Sequence, residues 1–190
     1  MSKFLEGRNR KPSEVYKDED LLTTGGLRSL VPGNYVLIEL YPGFSKSLAG
    51  ITPCFLMLHE KGLFVLEQCR QNGIIHGEER EASWTSYNYL GDGTPFENPL
   101  VKNNLNVQAL AAVLKLPVDA FHSCLVFDSA CEIRRVPANS PRLSIICADQ
   151  LEEHFAKLLP SLPVCYTHTQ LTALHDIFVL VTAEAGQNAG

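Results

Sequence analysis

The chain has 190 residues, 45% hydrophobic and 19% charged, with a formal net charge of −5 and a pI of about 5.7. That is enough apolar content for one ordinary core, and the acidic balance offers no general basic face for phosphate backbones. The opening MSKFLEGRNRKPSEVYKDED has no apolar signal core, and no run approaches the roughly 18 apolar residues that span a bilayer; a soluble, cytoplasmic protein without membrane insertion is expected.

Lys3, Arg8, Arg10 and Lys11 form a short basic arm, read as a solvated terminus. Ser13 can cap a short helix that Gly25 and Gly26 break, and a helical turn around Leu27 to Leu30 ends at Pro32-Gly33. Tyr35 to Leu40, Cys54 to Leu58 and Leu63 to Cys69 are rich in β-branched and aromatic residues and predict strands, the last two joined as a hairpin. Gly73 to His76 and Trp84 to Leu90 follow as weaker strands, and Gly91 to Pro95 reads as a loop. Pro99 suits the first turn of a helix, with Val101, Leu105, Leu110 and Val113 at roughly helical spacing, ending near Leu116-Pro117. Strands at Ser123 to Phe127 and Leu143 to Cys147 flank a loop from Val136 to Pro141. Asp149 to Leu159 reads as an amphipathic helix closed by Pro160 to Pro163, and Thr167 to Ala183 as a final helix with Leu171, Leu174, Ile177 and Phe178 on its apolar stripe.

Alternating strands and helices indicate an α/β fold, a central mixed sheet flanked by helices. The expected layout is an arm and helix over 1–31, one domain over 32–183 and a disordered tail over 184–190. Six cysteines, Cys54, Cys69, Cys124, Cys131, Cys147 and Cys165, show no CxxC or metal-finger spacing and read as buried free thiols of a reducing compartment.

The most informative stretch is GLFVLEQC, Gly62 to Cys69. Residues two apart on a strand share a face, so Leu63, Val65, Glu67 and Cys69 point one way and Phe64, Leu66 and Gln68 the other. A carboxylate on an otherwise apolar strand is costly to bury unless it is paired or hydrogen-bonded.

The segment GLFVLEQCRQNGIIHGEEREASWTS resembles the centre of the nuclease-related domain, NERD, a branch of the restriction-endonuclease-like superfamily: Gly62, Glu67, Gly73, Gly77 and Trp84 match its pattern in order. ENPLVKNNLNVQALAAVL resembles its Asn-Pro-x-x-Gln-Asn-x-x-His helix, with Asn98, Pro99 and Asn103 matching, Lys102 replacing the Gln and Asn106 the His. GNYVLIELYPG resembles its first strand, and Glu14 is a weak match to its opening helix acid. The resemblance runs from about Pro32 to Leu159 and implies a restriction-endonuclease-like core.

Active members pair an Asp on the preceding strand with Glu-x-Lys. The carboxylates hold Mg²⁺ or Mn²⁺, and the ammonium helps to position the attacking water. Here the Asp falls at Thr52 in one alignment and at Cys54 in another, and Cys69 stands where the Lys belongs. The resemblance therefore implies a vestigial site of Glu67, Cys69, Cys54, Thr52 and Lys102. The leading expectation is a pseudoenzyme without a cofactor that acts as a protein-binding or scaffold component of a nucleic-acid-processing or transfer assembly. One alternative is an active metal-dependent DNA nuclease that uses Glu67 as metal ligand and Lys102 as a migrated ammonium, with a further carboxylate unidentified. Another is DNA binding without cleavage, through Arg8, Arg10, Lys11, Arg70 and Lys102. A third pairs Cys54 and Cys69 as a zinc or disulfide site with His59 or His76 nearby, weighed against two buried thiols.

Overall fold

A computed structural model describes residue 27, residues 31–42, residue 48, residues 50–134, residue 136 and residues 140–187. The arm, the helix at Ser13, Glu14 and most of the turn after Leu27 lie outside the described residues.

Three apolar segments build an antiparallel start: β1 (Tyr35–Leu40), β2 (Cys54–His59) and β3 (Gly62–Cys69), with Tyr35 opposite His59 and His59 opposite Gly62. β3 then pairs in parallel with β7 (Phe121–Phe127), and β7 with β9 (Leu143–Cys147). The result is a five-stranded mixed sheet in the order β1-β2-β3-β7-β9. β3 is apolar on both faces because it lies at the centre, where both sides are covered.

The strand alternation sorts the core as the sequence predicts. Leu63 and Val65 face Val107, Leu110 and Leu114 of α1 (Pro99–Leu114) and Leu171, Leu174 and Phe178 of α3 (His168–Gln187). Phe64 and Leu66 face Leu151, Phe155 and Leu159 of α2 (Leu151–Ser161). The architecture is α/β, helices on both faces of a mixed sheet, and is consistent with a nuclease-like fold.

A second, four-stranded sheet was not expected. β4 (Ile74–His76), β5 (Ser83–Tyr87), β6 (Gly93–Glu97) and β8 (Glu132–Ile133) lie in the order β6-β5-β4-β8. β6 corrects the loop assigned to Gly91 to Pro95. Pro95 is compatible with a strand here because β6 is an edge, where a missing N–H breaks no ladder. Ile75, Trp84, Leu100, Leu125 and Phe127 join the two sheets in a third apolar cluster.

Three other expectations change in detail. α1 buries Leu100, Asn103, Asn106, Val107, Leu110 and Ala111, while Val101 and Leu105 are exposed. Its inward face carries two asparagines that the apolar-stripe reading passed over. On α3, Ile177 points outward although Leu171, Leu174 and Phe178 are buried. α3 also continues to Gln187, past the Ala183 end read from sequence.

Candidate functional site

Gly73 and Gly77, singled out by pattern, have steric reasons to be glycine. Gly73 has φ 91°, and a Cβ there would overlap the carbonyl of Tyr87. A Cβ on Gly77 would overlap the indole of the buried Trp84, whose Nε1 donates to the Glu78 carbonyl at 2.9 Å. The matched Gly and Trp are therefore two halves of one packing contact.

That contact sets the turn onto which α1 is fastened. Asn98 is buried and caps the helix, its Oδ1 accepting from the Leu100 N–H at 2.9 Å. Its Nδ2 donates to the carbonyls of Glu78, Glu79 and Glu81 at 3.4, 3.2 and 2.7 Å. The end of β6 and the first turns of α1 are thereby held beside the end of β3. Glu67, Gln68, Cys69, Arg70, Gln71, Glu97, Pro99 and Lys102 line an open cleft of about 200 Å³ there.

Glu67 is only 7% exposed, and its Oε2 is buried without a hydrogen-bond partner. Burial raises its pKa from 4.5 to about 7; Lys102 and a hydrogen bond from Asn103 oppose the rise, and the charge of Glu97 adds to it. Asn103, fully buried on α1, also donates from Nδ2 to the Val65 carbonyl at 3.3 Å, leaving its own Oδ1 unpartnered. Two buried acceptors without a donor, Glu67 Oε2 and Asn103 Oδ1, thus lie on packed elements, β3 and α1. Lys102 Nζ lies 2.8 Å from Glu97 Oε2, and that partner raises the pKa of its ammonium.

The antiparallel register pairs Phe55 with Leu66, so Cys54, one step earlier on β2, falls opposite Glu67. Its thiol is pushed up to about 12 by burial and by the Glu67 charge. Thr52 is held elsewhere: its N–H donates to Asn106 Oδ1 at 2.9 Å, and Asn106 Nδ2 donates to its Oγ1 at 2.8 Å. Cys69 shares the Glu67 face but is buried among Leu125, Phe127 and Trp84, and burial first, then Glu67, drives its thiol well above 9.0.

Glu67, Cys54, Cys69 and Lys102 are thus brought together, and Thr52 is turned to the helix. His59 is remote, at the other end of β2, bonded to the Pro32 carbonyl at 2.9 Å, and the His76 ring packs at a tilt against Tyr87 on the second sheet. All six cysteines are free thiols, and no group of three or more His, Cys, Asp or Glu that could hold a metal occurs among the described residues. A soft-metal site of thiols and histidines does not fit this arrangement. Glu67 has an unpartnered oxygen, and Glu97 lines the same cleft.

Glu97 is the residue that sequence reasoning missed. Its only signal was its place immediately before the Asn98-Pro99 cap, obscured by reading the preceding strand as a loop.

Residues 55–128 match the family model of the nuclease-related domain, NERD. An uncharacterized protein of Bacillus anthracis is 26% identical over 117 residues, covering 62% of this chain and 50% of that protein. The chain thus spans about half the length of that relative. No solved structure matches it. No helix among the described residues is long and apolar enough to cross a membrane.

Proposed function

We propose that this chain, a nuclease-related protein over residues 55–128, is a cytoplasmic binding or scaffold component of a nucleic-acid-processing assembly, and that it does not itself cleave nucleic acid. The observation that carries this reading is the register. The residue opposite Glu67 is Cys54, a protonated thiol, and the residue two beyond Glu67 is Cys69, another. Neither offers an oxygen to a hard metal, and neither offers an ammonium to a developing negative charge. Glu67 is half-protonated near neutral pH, a poor starting point for holding a catalytic cation. The free thiols agree with a reducing compartment.

The test is cleavage of supercoiled and linear DNA with Mg²⁺ or Mn²⁺, comparing the wild type with Glu67→Ala. Intact DNA in both supports the binding reading; metal-dependent cleavage lost in Glu67→Ala overturns it. One observation favours a second reading, a nuclease with a rearranged centre: Lys102 and Glu97 line the same cleft as Glu67. That reading requires cleavage to be lost in Lys102→Ala as well.

A further inference from the structure

We propose that the chain forms a two-fold dimer by strand addition: β1 pairs antiparallel with β1 of a second copy, joining the two five-stranded sheets into one. This goes beyond the binding reading and stands whether or not the protein cleaves DNA.

Four strands end the two sheets, and three of them are shielded. β6 carries Pro95, β8 has two residues, and β9 packs beside β8. β1 has six residues, YVLIEL, with no proline or lysine and an unbroken register with β2. Its far side meets no strand among the described residues. An apolar edge of this kind is a template for another strand.

The phase of the ladder defines what the edge offers. Glu60 N–H donates to the Asn34 carbonyl at 3.2 Å, and the alternation of antiparallel strands runs on from that bonded pair. Val36, Ile38 and Leu40 therefore turn their backbone groups to β2, while Tyr35, Leu37 and Glu39 turn theirs to the edge. A two-fold axis at Leu37 pairs the strand from Tyr35 to Glu39 with its own copy. Leu37 then faces Leu37 of the second copy, Val36 faces Ile38, and Glu39, the one charged residue of β1, faces Tyr35. The two Glu39 residues stand about 14 Å apart along the strands at 3.4 Å per residue. An axis at Glu39 would set the carboxylates face to face, which like charges disfavour. Charge and apolar pattern thus select a copy of β1, in one register.

The helix above the edge is a second, independent observation. α3 packs on β1, β2 and α1. Asp176 and Glu184 are its only charged residues apart from histidines, and Ile177 and Leu180 are 40% and 62% exposed. An outward face this apolar belongs to a covered helix. The two-fold keeps both α3 helices on one face of the joined sheet. With strands about 4.8 Å apart, a helix over β1 and β2 lies about 5 Å from the axis. The two α3 helices then run about 10 Å apart, the spacing of packed helices.

Sedimentation velocity of the full chain up to about 100 μM, with folding checked by circular dichroism, tests the dimer. The wild type should sediment as a concentration-dependent dimer. Leu37→Pro removes an N–H that points away from β2 and should leave a folded monomer. Leu37→Lys and Leu37→Glu each set like charges face to face and should weaken association about tenfold or more, while their equimolar mixture should recover dimers. If Leu37→Pro fails to fold, the charge pair decides. A monomeric wild type, association unchanged in Leu37→Lys, or a mixture no more dimeric than its components overturns the proposal. The double variant Ile177→Ser, Leu180→Ser should also associate more weakly, and unchanged association there overturns the contact between helices.

Discussion

Replacing Glu67 with Gln should stabilise the protein at alkaline pH and not at acidic pH. The carboxyl titrates at 4.5 in an ordinary environment and at about 7 here, chiefly because burial disfavours its charge. Between those values the folded chain holds a proton that the unfolded chain has released. Stability therefore falls as pH rises through this window and levels off above pH 7. The contribution is fully present below the unfolded value and gone above the folded one. At about 1.4 kcal/mol per pKa unit the interval of 4.5 to about 7 is worth at most about 3.5 kcal/mol, which the open cleft reduces to about 2. Gln has nearly the same shape and no such titration. Urea denaturation of both proteins at pH 5 and pH 8, in chelator, measures the difference. With a slope near 2 kcal/mol/M, Glu67→Gln should gain about 1 M in midpoint over wild type on going from pH 5 to pH 8. His59, His122 and His154, whose pKa values burial lowers, slope the other way but equally in both proteins, and so cancel. A gap between the two proteins that is the same at both pH values refutes the reasoning.

Gly77→Ala should cost more than about 2 kcal/mol because the new methyl overlaps Trp84; with a single tryptophan in the chain, a red shift of its fluorescence reports the displaced ring. Asn98→Ala should cost about 2 kcal/mol through the lost cap and lost carbonyl contacts. Asn98→Asp, an equally good cap in general, should not rescue it, since a carboxylate faces three carbonyls; chemical denaturation decides both. In the native protein one thiol, the exposed Cys165, should react quickly with a disulfide reagent, and the five buried ones only after denaturation.

The first three strands and the face carrying Glu67 were legible because a period of two is strict and the turn at Gly62 fixes the hairpin. The same register puts Cys54 opposite Glu67, a distinction that residue types at 52 and 54 could not draw. The second sheet was mostly hidden: β8 has only two residues, and β6 contains a proline acceptable only because no strand lies beyond it. The inward face of α1 escaped because its buried polar residues are satisfied by contacts distant in sequence, Asn103 with Val65 and Asn106 with Thr52. Glu97 escaped with them, since its position depends on β6 and on the turn that receives Asn98.

The parallel pairing of β3 with β7 also sets an order of assembly. Leu63 meets Phe121 across β4, β5, β6 and α1, so the hairpin of β2 and β3 can form early while one edge of β3 waits. Until Phe121 to Phe127 emerge from the ribosome, that edge is an apolar strand with open backbone groups, an invitation to other chains. Fragments ending before β7 should therefore be insoluble even though they contain the whole Glu67 strand. The chain is most vulnerable just before its central strand gains its second neighbour.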